Sequence, residues 1–233
     1  MKLSRKKLDK LLYKLSYLGS GSQGTCYLDK ESNTVYKVFH TYSDREFSGY
    51  RESDLIWNVS NGTYLFPKEA IIVNKKIEGY TLDYFKGYDL CRINPFKVDL
   101  DNFQNIVSLV YKDIDLISEK GILSFDVLYN IMYSKEKLAV VDTLDYSLGI
   151  DTYKSNRYNF DSSIKMFLVD SYFDYFINNS TLLKGMYNSK DVSALEFLKM
   201  FRYMLSECMG CEINNLGEAS SLVRRSESHY IRG

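Results

Sequence analysis

The chain has 233 residues, 45% of them hydrophobic and 15% aromatic, with 21 Tyr and only 2 Pro. That composition excludes a disordered polymer and is enough to bury a substantial core. The 30 basic and 30 acidic residues cancel, so no global field draws the chain to nucleic acid or to a membrane, and either partner would need a local patch.

The first 16 residues are expected to form a basic amphipathic helix. Six Lys and Arg fall within the first 14 positions, and Leu8, Leu11, Leu12 and Leu15 recur at helical spacing. The stretch lacks the uninterrupted apolar core of a signal peptide, and no run of 18 apolar residues occurs anywhere, so neither export nor a membrane span is expected. Packing against the next domain is the favoured role, with contact at a membrane surface as its alternative. The four cysteines, Cys26, Cys91, Cys208 and Cys211, are too sparse for a disulfide framework, which sets a reducing, cytoplasmic location as the expectation. Cys208 and Cys211 have the spacing of half a zinc site, but the only histidines, His40 and His229, supply no second half.

The next segment, YLGSGSQGTCYLDKESNTVYKVF, alternates apolar and polar residues on both sides of the turn DKESN, which reads as a β-hairpin opened by a glycine loop. Gly19, Gly21 and Gly24 fit GxGxxG. In a dinucleotide fold those glycines lead from a strand into a helix, whereas here they lead from strand to strand, as in a flap whose backbone N–H groups cover phosphates. Lys37 lies in the apolar arm VYKVF. It reads either as an outward-facing lysine on a half-exposed strand or as a phosphate-pairing charge held by a carboxylate.

A helix is expected from Ser43 to Gly62, with Ser43 as N-cap and Glu46 at its third position. Glu52 shares a stripe with Ile56 and is the preferred partner for Lys37, with Glu46 as its rival. After Pro67 a second hairpin reverses at NKK, and Gly79 marks a bulge or a close approach. The strand pattern stops at Phe85 and Gly87, where a hinge is placed. The segment 98–121 puts Phe103, Ile106, Val107, Val110, Ile114 and Ile117 on one helical face behind an Asp cap.

Gly121 to Asp142 reads as Asp126 followed by a short hairpin, NIMYS and LAVVD around the charged turn Lys135–Lys137. The hairpin folds Asp142 back towards Asn130, two hard oxygen ligands of the kind Mg²⁺ takes while it keeps several waters. Asp126 is then free to act as a base. Residues 145–161 are expected to be a long loop. Helices follow from Ser162 to about Asn178 and from Lys190 to about Met209, their aromatic stripes forming core. Asp161, Asp170 and Asp174 read as solvated helix faces or, alternatively, as an acidic acceptor pocket. The tail from Gly217 is polar and expected to fray.

Taken in order, a glycine flap on a hairpin, a strand lysine, a helix glutamate, a hinge, a long helix, an Asp-to-Asn loop and a strand ending in Asp resemble the protein kinase-like superfamily from Tyr17 to Asp142. The resemblance implies an α+β, bilobal fold: an antiparallel N-lobe sheet with one main helix over residues 17–85 and a mostly helical C-lobe over 86–233. It also implies ATP and Mg²⁺ as cofactors. The glycine-rich loop would be Gly19, Ser20, Gly21, Ser22 and Gly24. Lys37 would pair with phosphate and Glu52 with Lys37, while Asp83, Tyr84 and Phe85 would form the hinge edge that receives adenine. Asp126 would be the catalytic Asp, and Asn130 and Asp142 the metal ligands.

The sequence departs from the family at several places. Ser124 and Phe125 replace its His and Arg. Asp126 and Asn130 are four apart instead of five, and no Lys follows Asp126 in the loop. DFG reads Asp142, Thr143, Leu144, and no APE motif closes the segment. The pattern is that of a small, atypical bacterial-type kinase, similar to aminoglycoside and choline kinase-like enzymes. It would transfer the γ-phosphate of ATP to a hydroxyl, with Ser or Thr of a protein preferred over a small molecule. A catalytically inactive nucleotide- or protein-binding pseudokinase is the rival reading.

Overall fold

The computed structural model describes residues 1–40, 55–125, 127–170 and 172–223. The fold is α+β, and the chain divides into two compact units. The first holds Met1–Lys86 and Ala139–Leu148; the second holds Gly87–Leu138 and the chain from Gly149 onward. The N-terminal helix is therefore part of the first unit, as are Ala139–Leu148, which the sequence pattern had assigned to the second.

The first unit is built on a six-stranded sheet. Its strands are β1 (Lys2–Leu3), β2 (Ser16–Ser20), β3 (Gly24–Asp29), β4 (Thr34–Phe39), β5 (Glu69–Val73) and β6 (Lys76–Asp83), in the order β1-β5-β6-β4-β3-β2. Every pairing is antiparallel except that of β1 with β5. The expected basic helix is shorter than predicted, α1 (Arg5–Leu12), because Lys2–Leu3 joins the sheet. Ser4 caps it by accepting from the Lys7 N–H. Leu8 is fully buried with Ile71 and Val73, and Leu3, Leu12, Tyr36 and Val38 pack on the same cluster, so α1 covers one face of the sheet. On the other face Leu28, Val35, Tyr80, Leu82 and Leu144 form a second cluster, joined by Leu55, Trp57 and Leu65. Period-two alternation assigns the residues of β4: Val35 and Phe39 serve this second face while Tyr36 and Val38 serve the first.

The β5–β6 hairpin reverses through Asn74 and Lys75 with φ of 49° and 66°, the primed turn that matches strand twist. Gly79 is a close approach, as its position suggested: a Cβ there would overlap the carbonyl of Lys37. Part of the helix expected over 43–62 is corrected. Residues 55–62 are not helical, and Asn58 takes a left-handed φ of 54°. The rest of that stretch, with Glu46 and Glu52, lies outside the described residues.

In the second unit, β7 (Tyr88–Asp89) leads by two short turns to α2 (Leu100–Glu119), capped by Asp99, whose carboxylate accepts from the Asn102 N–H at 2.8 Å. Its apolar face is the expected one, with Phe103, Ile106, Val107, Val110, Ile114 and Ile117 buried. Then come β8 (Ile122–Leu123), a single turn over Leu128–Asn130, β9 (Ile131–Tyr133) and a reversal in which the Ser134 N–H donates to the Lys137 carbonyl at 3.0 Å; β10 (Leu138–Val140) starts at the last residue of this stretch and continues as part of the first unit.

The long loop expected over 145–161 is instead largely helix: α3 spans Thr152–Val169. The inward positions of its first two turns, Thr152 and Asn156, are polar, which hid its start from hydropathy. Thr152 donates to the Ser118 carbonyl at 3.0 Å, and Asn156, fully buried, donates to Ser118 Oγ at 2.9 Å and to the Ile122 carbonyl at 2.7 Å. A break after Val169 precedes α4 (Asp174–Asn178), followed by α5 (Thr181–Asn188), which no sequence pattern announced, and α6 (Ala194–Met209). A capping box of Ser193 and Glu196 starts α6, and Gly210 at φ 69° ends it. The aromatic stripes are core: Phe197 stacks on Phe201 at 5.5 Å, and Phe173 meets Phe201 edge-on at 5.3 Å. The tail expected to fray from Gly217 is ordered as far as Leu222, where Leu216–Leu222 forms 3-10 turns that bury Leu216 and, within the tail, Ala219. Among the described residues, no helix is long and apolar enough to cross a membrane.

Candidate functional site

The site grows from a row of side chains across the first sheet. The register places Lys37 opposite Cys26 on β3 and opposite Tyr80 on β6. Directly paired residues project to the same face, so these three line up on the face that carries the Leu28–Val35–Leu82 core. Lys37 is only 9% exposed, which rules out the outward-facing reading. A buried ammonium needs partners, and Lys37 has an ion pair with Asp142 and a bond to Gln23 Oε1 at 3.2 Å. Its Nζ also lies 5.7 Å from the centre of the Tyr80 ring, within reach of a cation–π attraction.

Asp142 arrives from β10. Its approach is fixed by a parallel bridge of Val140 to Tyr64, in which the Leu65 N–H donates to the Val140 carbonyl at 2.9 Å and the Val140 N–H to the Thr63 carbonyl at 2.8 Å. Beyond it, Thr143 donates to the Leu65 carbonyl at 2.9 Å and Leu144 enters the core. Between these anchors Asp142 adopts φ 60°, a conformation that Asp tolerates better than most residues. Its Oδ1 accepts from both Lys37 and the Tyr80 hydroxyl, the latter at 3.1 Å. No donor among the described residues bonds to Oδ2. Tyr80 is 1% exposed, and burial, with Asp142 adding to it, raises its hydroxyl well above the ordinary tyrosine value. It therefore stays a donor at all ordinary pH. Burial also raises the Cys26 thiol; Lys37 opposes this and Asp142 adds to it.

The glycine loop closes over this row. Gly19 and Ser20 end β2, Gly21 and Ser22 form the turn, and Gly24 opens β3. Gly24 is required by space, since a Cβ would overlap the Val38 carbonyl, whereas Gly19 and Gly21 face nothing within 4 Å. The loop is held by its own bonds: the Gly21 N–H donates to the Gly24 carbonyl at 3.0 Å, and Ser20 Oγ lies 3.1 Å from Thr25 Oγ1 and 3.2 Å from His40 Nε2. Gln23 bridges from the loop to Lys37 and, through Nε2 at 3.5 Å, to Asp145.

Asp83 is exposed and paired with Lys68 at 2.6 Å, Tyr84 is half-buried with its N–H donating to the Asn33 carbonyl at 3.1 Å, and Phe85 is buried. All three belong to the first unit, near its boundary at Lys86. Asn130 closes the turn Leu128–Asn130 in the second unit, its N–H donating to the Val127 carbonyl at 3.1 Å. Asp126 and Glu52 lie outside the described residues. The structure thus brings Lys37 and Asp142 together and adds Gln23 and Tyr80, which sequence reasoning missed. Gln23 stood inside the GSGSQG loop, and counting the alternation of β6 against β4 would have found Tyr80.

The loop that leads to Asp126 is anchored in the second unit. Asn156 Oδ1 accepts from the Ser124 N–H at 2.8 Å and from Ser124 Oγ at 2.9 Å, and Asn159 donates to the Ser124 carbonyl at 2.7 Å. Asp161 is not on a solvated face. It is buried, accepting from the Tyr111 hydroxyl and from the Ala194 N–H at 2.8 Å. Burial raises its carboxyl above the ordinary value against the pull of those bonds.

No protein-family model matches the chain, and no curated protein matches it. Among solved structures it is similar to a twitchin kinase fragment of C. elegans, described as autoregulated protein kinase and immunoglobulin domains, at 17% identity and a TM-score of 0.41. The similarity covers 55% of this chain and 32% of that one, so the chain spans about a third of the length of the structure it matches.

Proposed function

We propose that the chain is an ATP- and Mg²⁺-dependent phosphotransferase of the protein kinase-like type, passing the γ-phosphate to a hydroxyl, with Ser or Thr of a protein as the preferred acceptor. The observation that carries this reading is the buried Lys37 on a central strand paired with Asp142, beneath a glycine loop that contributes Gln23. Phosphoryl transfer asks a protein mainly to position groups and neutralise charge. Lys37 supplies a cation whose present partners are replaceable, and phosphate oxygens would take the place of Gln23 on its ammonium.

The donor set suits Mg²⁺. Asp142 retains Oδ2, and among the described residues no cluster of three or more His, Cys, Asp or Glu forms a dedicated metal cage. An ion that keeps its waters and shares phosphate oxygens needs only one or two carboxylates. When bound, Mg²⁺ would neutralise charge on the phosphates. Asn130 is proposed as its second protein ligand, and Asp126 as the group that orients the acceptor hydroxyl and receives its proton. Asp83, Tyr84 and Phe85 are proposed to border adenine. Ser20, Ser22 and the glycines would cover the phosphates, and Glu52 is proposed as the carboxylate partner of Lys37.

The test is incubation of the purified chain with γ-labelled ATP and Mg²⁺, with and without a generic acceptor protein, beside Asp142→Asn. Label on the chain or acceptor that is lost in the variant supports the reading. No label together with no thermal shift on adding nucleotide rejects it, and a nucleotide shift without transfer assigns the chain to the non-catalytic alternative.

A further inference from the structure

The buried hydroxyl of Tyr80 is the feature of the first unit that phosphotransfer, as described, leaves without a task. A fully enclosed tyrosine usually sends its hydroxyl to a backbone carbonyl or to water. Here it donates to a carboxylate, at 3.1 Å, and to the same oxygen that holds the Lys37 ammonium. The two donors come from adjacent strands in direct register, Lys37 on β4 and Tyr80 on β6. Gly79, beside Tyr80, permits the close approach of these strands. The ammonium lies near the Tyr80 ring, so one side chain touches both members of the pair.

A carboxylate held by a single lysine can rotate about its last bond and exchange its oxygens, because an ammonium is a point charge without directional preference. A second donor, rigid and approaching from a different strand, removes that freedom. Oδ1 is then committed to the protein and Oδ2 retains its lone pairs. We propose that Tyr80 is a positioning residue for Asp142: it fixes the rotation of the carboxylate so that Oδ2 is held ready for a divalent cation bound with nucleotide phosphates. The assignment rests on the phosphotransfer reading. It adds that metal affinity, and not nucleotide affinity, is what Tyr80 controls.

The experiment uses the full chain and Tyr80→Phe, which keeps the ring and its packing. Calorimetric titration of MgCl₂ into each protein saturated with ADP gives the metal affinity, and titration of ADP in the presence of EDTA gives the metal-free nucleotide affinity. The expected result is a loss of about tenfold in Mg²⁺ affinity, the scale of one hydrogen bond to a charged group, with metal-free ADP affinity changed less than about twofold on the same scale. Equal Mg²⁺ affinity in the two proteins overturns the role of Tyr80 and leaves the phosphotransferase reading standing. A parallel fall in both affinities shows a merely structural effect and also overturns it. Failure of the unaltered chain to bind ADP with or without Mg²⁺ overturns both. A ligand-free double-mutant cycle of Tyr80→Phe with Asp142→Ala, which removes the acceptor, read by thermal unfolding, supplies a measure independent of loading. Coupling between the two sites is expected, and strict additivity overturns the contact itself.

Discussion

Both units bury polar groups, but they satisfy them differently. Around Asn156 in the second unit the polar atoms are matched donor to acceptor: Thr152, Ser118, Ser124, Asn159 and the Ile122 carbonyl close a network of neutral groups. Around Lys37 in the first unit the groups are charged, two donors crowd one oxygen of Asp142, and the other oxygen takes none from the described residues. A closed neutral network specifies a structure, since each member costs stability if it is left alone. A half-occupied carboxylate beside a buried cation is an arrangement that leaves room for a ligand. Burial alone would have ranked Asn156 above Asp142 as a site, whereas the pattern of unused valences ranks them the other way.

Substitutions can break this contrast. The largest effect is expected on transfer, where Asp142→Asn should lower the rate by about 10³-fold, near 4 kcal/mol of barrier, while Asn keeps the left-handed backbone. Single-turnover transfer of label from ATP reads the first effect and thermal unfolding checks the second; a large loss of stability would move Asp142 to the structural side. Asn156→Ala should do the reverse, costing about 3 kcal/mol in urea unfolding by stranding several buried partners. Nucleotide binding by the fraction that remains folded should be unchanged.

The same contrast explains what could be read from the chain beforehand. The helix Leu100–Glu119 was legible because its inward positions are apolar at helical spacing. The first half of Thr152–Val169 was not, because Thr152 and Asn156 face inward and their burial depends on partners distant in sequence. Lys37 and Asp142 each stood out by their surroundings. Their pairing did not, since the local pattern offered Glu52, and two residues 105 apart meet only through tertiary folding. Tyr80 lacked any signal of composition; its place beside Lys37 follows from the register of β6 on β4, which a single strand does not disclose.

Smaller effects sharpen the comparison within the first unit. Gly24→Ala and Gly79→Ala should each cost about 1–3 kcal/mol, the range for forced overpacking, because the added Cβ meets backbone. Gly19→Ala, facing open space, should stay within about 0.5 kcal/mol. Chemical unfolding of the three proteins separates glycines needed for strand contact from one available to a ligand, and equal losses in all three would erase the distinction.

The smallest effect concerns Lys165, buried in α3 with its ammonium donating to the Met186 and Ser189 carbonyls, both at 3.1 Å. Burial lowers it below the ordinary lysine value, with Asp161 opposing. Between the lowered and the ordinary value the unfolded chain holds the extra proton, so stability should rise with pH across that alkaline window. Lys165→Met should flatten this slope in unfolding measured at stepped pH, and an unchanged slope would place its origin elsewhere.

The threading of Ala139–Leu148 back into the first unit has a consequence for how the protein comes into being. Leu144 completes the cluster of Leu28, Val35 and Leu82, and Asp142 neutralises Lys37, yet both are synthesised only after the whole stretch Gly87–Leu138 of the other unit. A nascent chain that has emerged only as far as Lys86 holds an open apolar face and a lysine lacking its counter-charge. Ordering of the first sheet should therefore wait on closure of a long loop, and a ribosome-bound intermediate halted before residue 139 should be markedly more sensitive to protease than one halted after residue 148.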